Sequence, residues 1–232
     1  MKIIVYGDSF SNPDNCKARC SDMWYRHVAQ ENIDATVTNR ARAGNNTQHM
    51  FLEATHDCVT NTTPLKMLIG LGPLARLPKY TDKWYDEELL KGTDIADYLG
   101  HMQSHRPADA PHFDIKDTRL MEMYHPTLLW ANLYKNVISL DAIARKHGHD
   151  IMIVHMHHTE YEHNRDHPLV RPLEEMASHC NYVTHLHSCN AVCRQAGILP
   201  WDKDQYGSDG HHSAEGQIYF GRHIQALLEE RL

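Results

Sequence analysis

The stretch Ile3-Ile4-Val5-Tyr6-Gly7-Asp8-Ser9-Phe10 decides the fold. Four apolar residues, three of them β-branched, run straight into a glycine, the pattern of a short strand buried on both faces in a parallel sheet. In an open α/β sheet, sites lie beyond the carboxyl ends of the strands, so the turn Gly7-Asp8-Ser9 stands where chemistry is expected. Outward from this stretch, helix and strand patterns alternate. A helix is expected over Asp22 to Gln30, where Trp24, His27 and Val28 recur at helical spacing after the capping candidate Ser21. Ala35 to Thr38 alternates like a strand, and Asn46 to Cys58 reads as a helix with Met50, Phe51 and Ala54 inward. Leu65 to Leu71 is an apolar run stopped by Gly72-Pro73. Leu128 to His147 carries Leu129, Leu133, Val137, Leu140 and Ile143-Ala144 on one face and is closed by Gly148; Ile151 to Met156 is a further strand. Tyr182 to Leu186 reads as the last strand, and Ala214 to Leu232 as a closing helix with Ile218, Tyr219, Ile224 and Leu228 on its stripe. This alternation predicts an α/β protein with a central parallel sheet of about five strands and helices on both faces.

Composition narrows the function. With 232 residues, 41% apolar and 23% charged, the chain has the make-up of a globular protein, and one domain over residues 1–232 is the expectation. The segment from about 78 to 126 fits no strand-helix unit; rich in Asp, Pro, Gly and His, with Tyr80, Trp84, Tyr85, Tyr98, Phe113 and Tyr124 scattered through it, it reads as an insertion. Lys plus Arg number 23 against 30 Asp plus Glu, a net charge of -7, which disfavours a nucleic-acid partner. No stretch approaches the ~20 apolar residues of a membrane span, and the opening apolar run is too short for a signal peptide, so a soluble cytoplasmic protein is expected. The six cysteines are then reduced thiols. Cys16 and Cys20, like Cys189 and Cys193, are spaced by four, which suits buried thiols better than the two-residue gap of common zinc sites.

Histidine is over-represented, 20 of 232. His155, His157, His158, His163 and His167, with Glu160 and Glu162 among them, follow the fourth strand, and alternation puts His155 and His157 on one side of an extended chain. The His-Glu-x-x-His pattern is missing, so polar histidines lining a pocket are preferred to a metal centre, and no metal is assigned.

Two short motifs carry the chemistry. Ser9, on the turn after the first strand, has the seat of a nucleophile, although a bare Gly-Asp-Ser is equally the signature of a helix or turn cap. Near the other end, Ser208-Asp209-Gly210-His211-His212-Ser213 precedes the closing helix. A hydroxyl attacks only when a base takes its proton, and that base needs an acceptor on its second nitrogen; His212 and Asp209, three apart, supply the pair.

Together these ends resemble the SGNH, or GDSL, hydrolases, whose first block is Gly-Asp-Ser and whose last is Asp-x-x-His. The resemblance implies a flavodoxin-like three-layer α/β/α sandwich and a catalytic triad of Ser9, His212 and Asp209. It also implies an oxyanion hole made by the backbone amides of Ser9 and of Gly44, in Ala43-Gly44-Asn45-Asn46, with no metal or organic cofactor. The substrate class would be carboxylic esters of small molecules, lipids or glycans. One block departs from the family pattern. Where Gly-x-Asn-Asp is usual, the chain reads Gly70-Leu71-Gly72-Pro73-Leu74-Ala75-Arg76, so the customary Asn donor is missing, with Arg76 or Asn45 as possible substitutes. Loss of one such donor weakens transition-state binding by about 2.7–4 kcal/mol. A serine ester hydrolase is therefore the first reading; a weakened ligand-binding module or an acyltransferase on the same fold is the alternative.

Overall fold

The computed structural model describes residues 2–13, 19–28, 36–42, 45–72, 74, 77–79, 103–105, 125–156, 165–198 and 212–230. Strand β1 (Lys2–Gly7) is followed by a 3-10 turn (Ser9–Ser11), a second 3-10 turn (Cys20–Asp22), helix α1 (Trp24–Val28), β2 (Thr36–Asn39), α2 (Thr47–Thr60) and β3 (Leu65–Leu71). Then come β4 (Leu77–Lys79), β5 (Gln103–His105), α3 (Pro126–Lys146), β6 (Asp150–His155), α4 (Arg171–Ser178), a 3-10 turn (His185–His187), α5 (Cys189–Gln195) and α6 (Ala214–Glu229).

The main sheet has the order β2-β1-β3-β6 and is parallel throughout, with Ile4 opposite Thr38 on one side and Met67 on the other. Side-chain alternation along the strands divides the core in two. Ile4, Tyr6, Met67, Ile69, Leu71, Ile151 and Ile153 point to one face, where Met50, Phe51 and Ala54 of α2, Trp130, Leu133, Tyr134 and Val137 of α3, and Ala177 of α4 cover them. Ile3, Val5, Leu68, Met152 and Val154 point to the other, under Trp24 and Val28 of α1, Cys189, Val192 and Cys193 of α5, and Phe220 and Ile224 of α6. This is a three-layer α/β/α sandwich.

Among the described residues the main sheet has four strands rather than the expected five. At Tyr182 the chain makes a single parallel bridge to Ile153, in which the Ile153 amide donates to Asn181 and the Val183 amide to Ile153. The chain then leaves through Thr184 into the turn His185–His187, so no ladder extends from the bridge. The helix expected from Asp22 begins only at Trp24, after a 3-10 turn that contains Ser21. Ser21 is no cap: its hydroxyl donates to Asp22, and the first helical amide, that of Trp24, donates instead to the Gln217 side chain from α6, 3.2 Å away. Helix α3 is closed as expected, with Gly148 at a φ of 72° that favours glycine. Of the expected insertion, the described residues show β4 and β5 as a separate antiparallel pair with Leu77 opposite His105. Its aromatics lie outside the described residues.

Candidate functional site

The carboxyl edge of the sheet is built on a close approach between the first turn and two strands. Gly7 and Gly70 face each other across β1 and β3, and Ser11 packs over both. A Cβ at Gly70 would lie 2.4 Å from Ser11 Oγ and one at Gly7 2.6 Å from Ser11 Cβ, so bare backbone lets the turn Ser9–Ser11 press onto the sheet. Trp24 Nε1 donates to Ser11 Oγ at 3.2 Å and fixes it from the other side. Asp8 is fully buried and caps the turn, its carboxylate accepting from the Phe10 amide at 3.0 Å. Gly72, in the loop after β3, lies against it: a Cβ there would stand 2.5 Å from Asp8 Oδ2, so this loop glycine makes room for the Asp8 carboxylate. Ser9, between Asp8 and Phe10, is 6% exposed.

The loop after β2 is tied to the same edge. The amides of Arg40 and Arg42 donate to the Val5 and Gly7 carbonyls, extending the β1 pairing beyond β2. The two guanidinium groups then reach α2, Arg40 pairing with Asp57 and Arg42 with Glu53, each at 3.0 Å. Tyr6 donates from its hydroxyl to the same Asp57. Asn45 braces the loop end, donating from Nδ2 to the Gly7 carbonyl at 3.2 Å and accepting at Oδ1 from the Asn46 amide and His49 Nδ1. Asn46 caps α2, accepting from the His49 amide at 2.9 Å. Of the two substitute donors, Asn45 therefore spends an amide hydrogen on the loop itself, and Arg76 lies outside the described residues, as do Ala43 and Gly44.

The chain ends meet here. His212 precedes α6, whose cap Ser213 accepts from the Gly216 amide. The His212 ring is 1% exposed and sits with its centroid 5.0 Å from that of Phe10, the residue after Ser9. One turn into α6, the fully buried Gln217 donates to the Phe10 carbonyl at 2.8 Å while accepting from Trp24. Ser9 and His212 are thus on segments locked together, whereas Asp209 and His211 lie outside the described residues. Two polar residues at this edge escaped sequence reasoning. Gln217 is an ordinary helix residue by sequence, and Asn190 on α5, 3% exposed, carries no motif; its Oδ1 is 2.8 Å from His212 Nε2.

Beyond β6 the histidines form a buried polar cluster. His155 is 2.6 Å from the Tyr182 hydroxyl, and burial, reinforced by His185 and Arg165, lowers its pKa to about 3. Arg165 donates to His185 Nε2 at 2.5 Å and pairs with Glu174 at 2.6 Å, its guanidinium 5.8 Å from the Trp130 ring. Of the expected cluster, His167 is exposed, and His157, His158, His163, Glu160 and Glu162 lie outside the described residues. Among the described residues no three His, Cys, Asp or Glu side chains converge on a metal position. Cys189 and Cys193 are buried thiols 4.0 Å apart that form no disulfide, as the spacing suggested. Among the described residues no helix is long and apolar enough to cross a membrane.

No protein-family model matches the chain, and no curated protein matches it by sequence. Its structural neighbours include G-D-S-L lipolytic proteins. One, a lipolytic G-D-S-L protein from Veillonella parvula, is 14% identical, with all of both chains covered and a TM-score of 0.47. An extracellular lipase from Streptomyces rimosus is 11% identical over the whole of both chains with a TM-score of 0.45, and an acetyl xylan esterase is 12% identical with the same coverage and score.

Proposed function

We propose that the protein is a serine esterase acting on carboxylic esters, whether longer acyl groups or O-acetyl groups, through an acyl-enzyme. Ser9 Oγ attacks the ester carbonyl as His212 takes its proton, and the backbone amides of Ser9 and Gly44 hold the oxyanion. The imidazolium returns the proton to the departing alcohol as the carbon-oxygen bond breaks. Water, deprotonated by the same imidazole, then cleaves the acyl-enzyme to a carboxylic acid and free Ser9. Asp209 supplies the negative charge that steadies the imidazolium. The steps call on no metal or organic cofactor. Transfer of the acyl group to a sugar hydroxyl instead of water is a close variant of the second half.

The observation that carries this reading is the junction of the chain ends: the residue after Ser9 packs its ring against His212 and has its carbonyl bound by the helix that His212 introduces. One experiment tests it. Incubation with a fluorophosphonate probe and with an aryl acetate is expected to label the wild-type protein and release the phenol, and both signals disappear in Ser9→Ala. Folded wild-type protein that takes no label and turns over no ester refutes the enzyme. That result would favour the ligand-binding alternative, for which the absence of the customary Asn from the stretch Gly70 to Arg76 already speaks.

A further inference from the structure

A neutral imidazole carries one proton, and the acceptor that meets one of its nitrogens decides which nitrogen holds it. At His212 the described partner of Nε2 is Asn190 Oδ1 at 2.8 Å, with both residues almost wholly buried. Breaking a hydrogen bond at such depth leaves a buried polar group without its partner, a cost large enough to select one tautomer and one ring orientation. The scaffold on either side is firm. Ser188 caps α5 by accepting from the Ala191 amide, and Cys189, Val192 and Cys193 are packed into the core. Cys193 Sγ donates to the Gly216 carbonyl in the first turn of α6, so the helix bearing Asn190 is fastened to the segment bearing His212. Phe10 lies against the imidazole at an interplanar angle of 52°, restricting its rotation.

We propose that Asn190 is the positioning residue of His212: its side-chain oxygen accepts from Nε2–H, which leaves the basic lone pair on Nδ1. This deepens the esterase reading and rests on it for its functional consequence. With Nε2–H given to Asn190 and Nδ1 kept as the base for Ser9, no ring nitrogen remains for Asp209, so in this arrangement Asp209 contributes charge alone and not the direct hydrogen bond expected of it from the sequence. A neutral orienting amide has precedent in Cys-His-Asn sites, where the same geometric role is filled without a carboxylate.

The test is spectroscopic first. In protein labelled with 15N-histidine, with the His212 signals assigned by comparison with His212→Gln, two-bond nitrogen-proton correlations report which nitrogen is protonated. The expected wild-type pattern is Nε2–H. Asn190→Asp, an isostere that can only accept when ionised, is expected to keep that pattern and to hold kcat on an aryl acetate within about fivefold. Asn190→Ala removes the acceptor and is expected to lose the single tautomer and to lower kcat roughly ten- to a hundredfold with KM unchanged. An Nδ1–H pattern in the wild type means the amide donates to Nε2 instead and overturns the proposal. So does Asn190→Ala with tautomer and kcat intact. If Asn190→Ala does not fold, the wild-type and Asn190→Asp tautomers decide the matter. A protein that takes no fluorophosphonate label defeats the esterase reading, while the tautomer still decides the role of Asn190.

Discussion

Replacing Gln217 by Leu probes the joint on which the site depends. The side chain is fully buried, donates to the Phe10 carbonyl at 2.8 Å and accepts from the Trp24 amide at 3.2 Å, joining partners 207 and 193 positions away in sequence. Leucine is of similar size and can do neither, so one substitution removes two buried hydrogen bonds to backbone groups. At about 1–3 kcal/mol for each buried group deprived of its partner, offset in part by the extra apolar surface, the loss is on the order of 3 kcal/mol. Set against the 5–15 kcal/mol by which folded proteins are typically stable, that is a large fraction. Urea unfolding at pH 7 is the assay: the midpoint should fall by roughly 1 M at an unchanged slope. Because Gln217 also holds the carbonyl next to Ser9, the rate of fluorophosphonate labelling should fall at temperatures where the variant is fully folded. A midpoint within about 0.2 M of wild type would show that the two bonds contribute nothing net and would refute the argument that they lock the chain ends.

Two further outcomes follow from the packing. Burial, with Arg42 nearby, lowers the His49 pKa to about 4, and His155 lies near 3, so between pH 6.5 and those values the unfolded chain binds protons that the folded one does not. Their stabilisation is therefore complete above pH 6.5 and is lost as the pH falls, at up to about 1.36 kcal/mol per pH unit for each histidine. The difference in urea stability between wild type and His155→Gln should change by about one proton's worth across pH 6.5 to 4.5, and parallel curves would contradict the burial of His155 as a neutral base. Gly70→Ala places a methyl 2.4 Å from Ser11 Oγ, beneath the turn that carries Ser9. A destabilisation of roughly 1–3 kcal/mol is expected, relieved in part by adding Ser11→Ala; a fully stable single variant would show that the turn does not bear on the sheet there.

The fold was largely legible because its elements announce themselves locally. Ile3 to Tyr6, Leu65 to Leu71 and Ile151 to Met156 are apolar runs that only a sheet covered on both faces can absorb, and the structure pairs them in parallel. Asn46 starts α2 through its side-chain cap, and Gly148 closes α3 through a positive φ. The errors came where a distant partner overrode a local signal. Ser21 lost the capping role to Gln217, and the stretch from Tyr182 formed one bridge because the chain turns away after Val183.

Residue types and spacing, which are properties of neighbours along the chain, were enough to place Ser9 just after the first strand and His212 just before the closing helix. They could not show that Phe10 packs on the His212 ring, that Gly72 exists to admit the Asp8 carboxylate, or that Asn190 meets Nε2. Those contacts join segments far apart in sequence, and a lone Asn, Gln or Gly has no periodicity to betray it. Their partners are chosen only when the two halves of the core close on the sheet and bury every polar group that cannot find water.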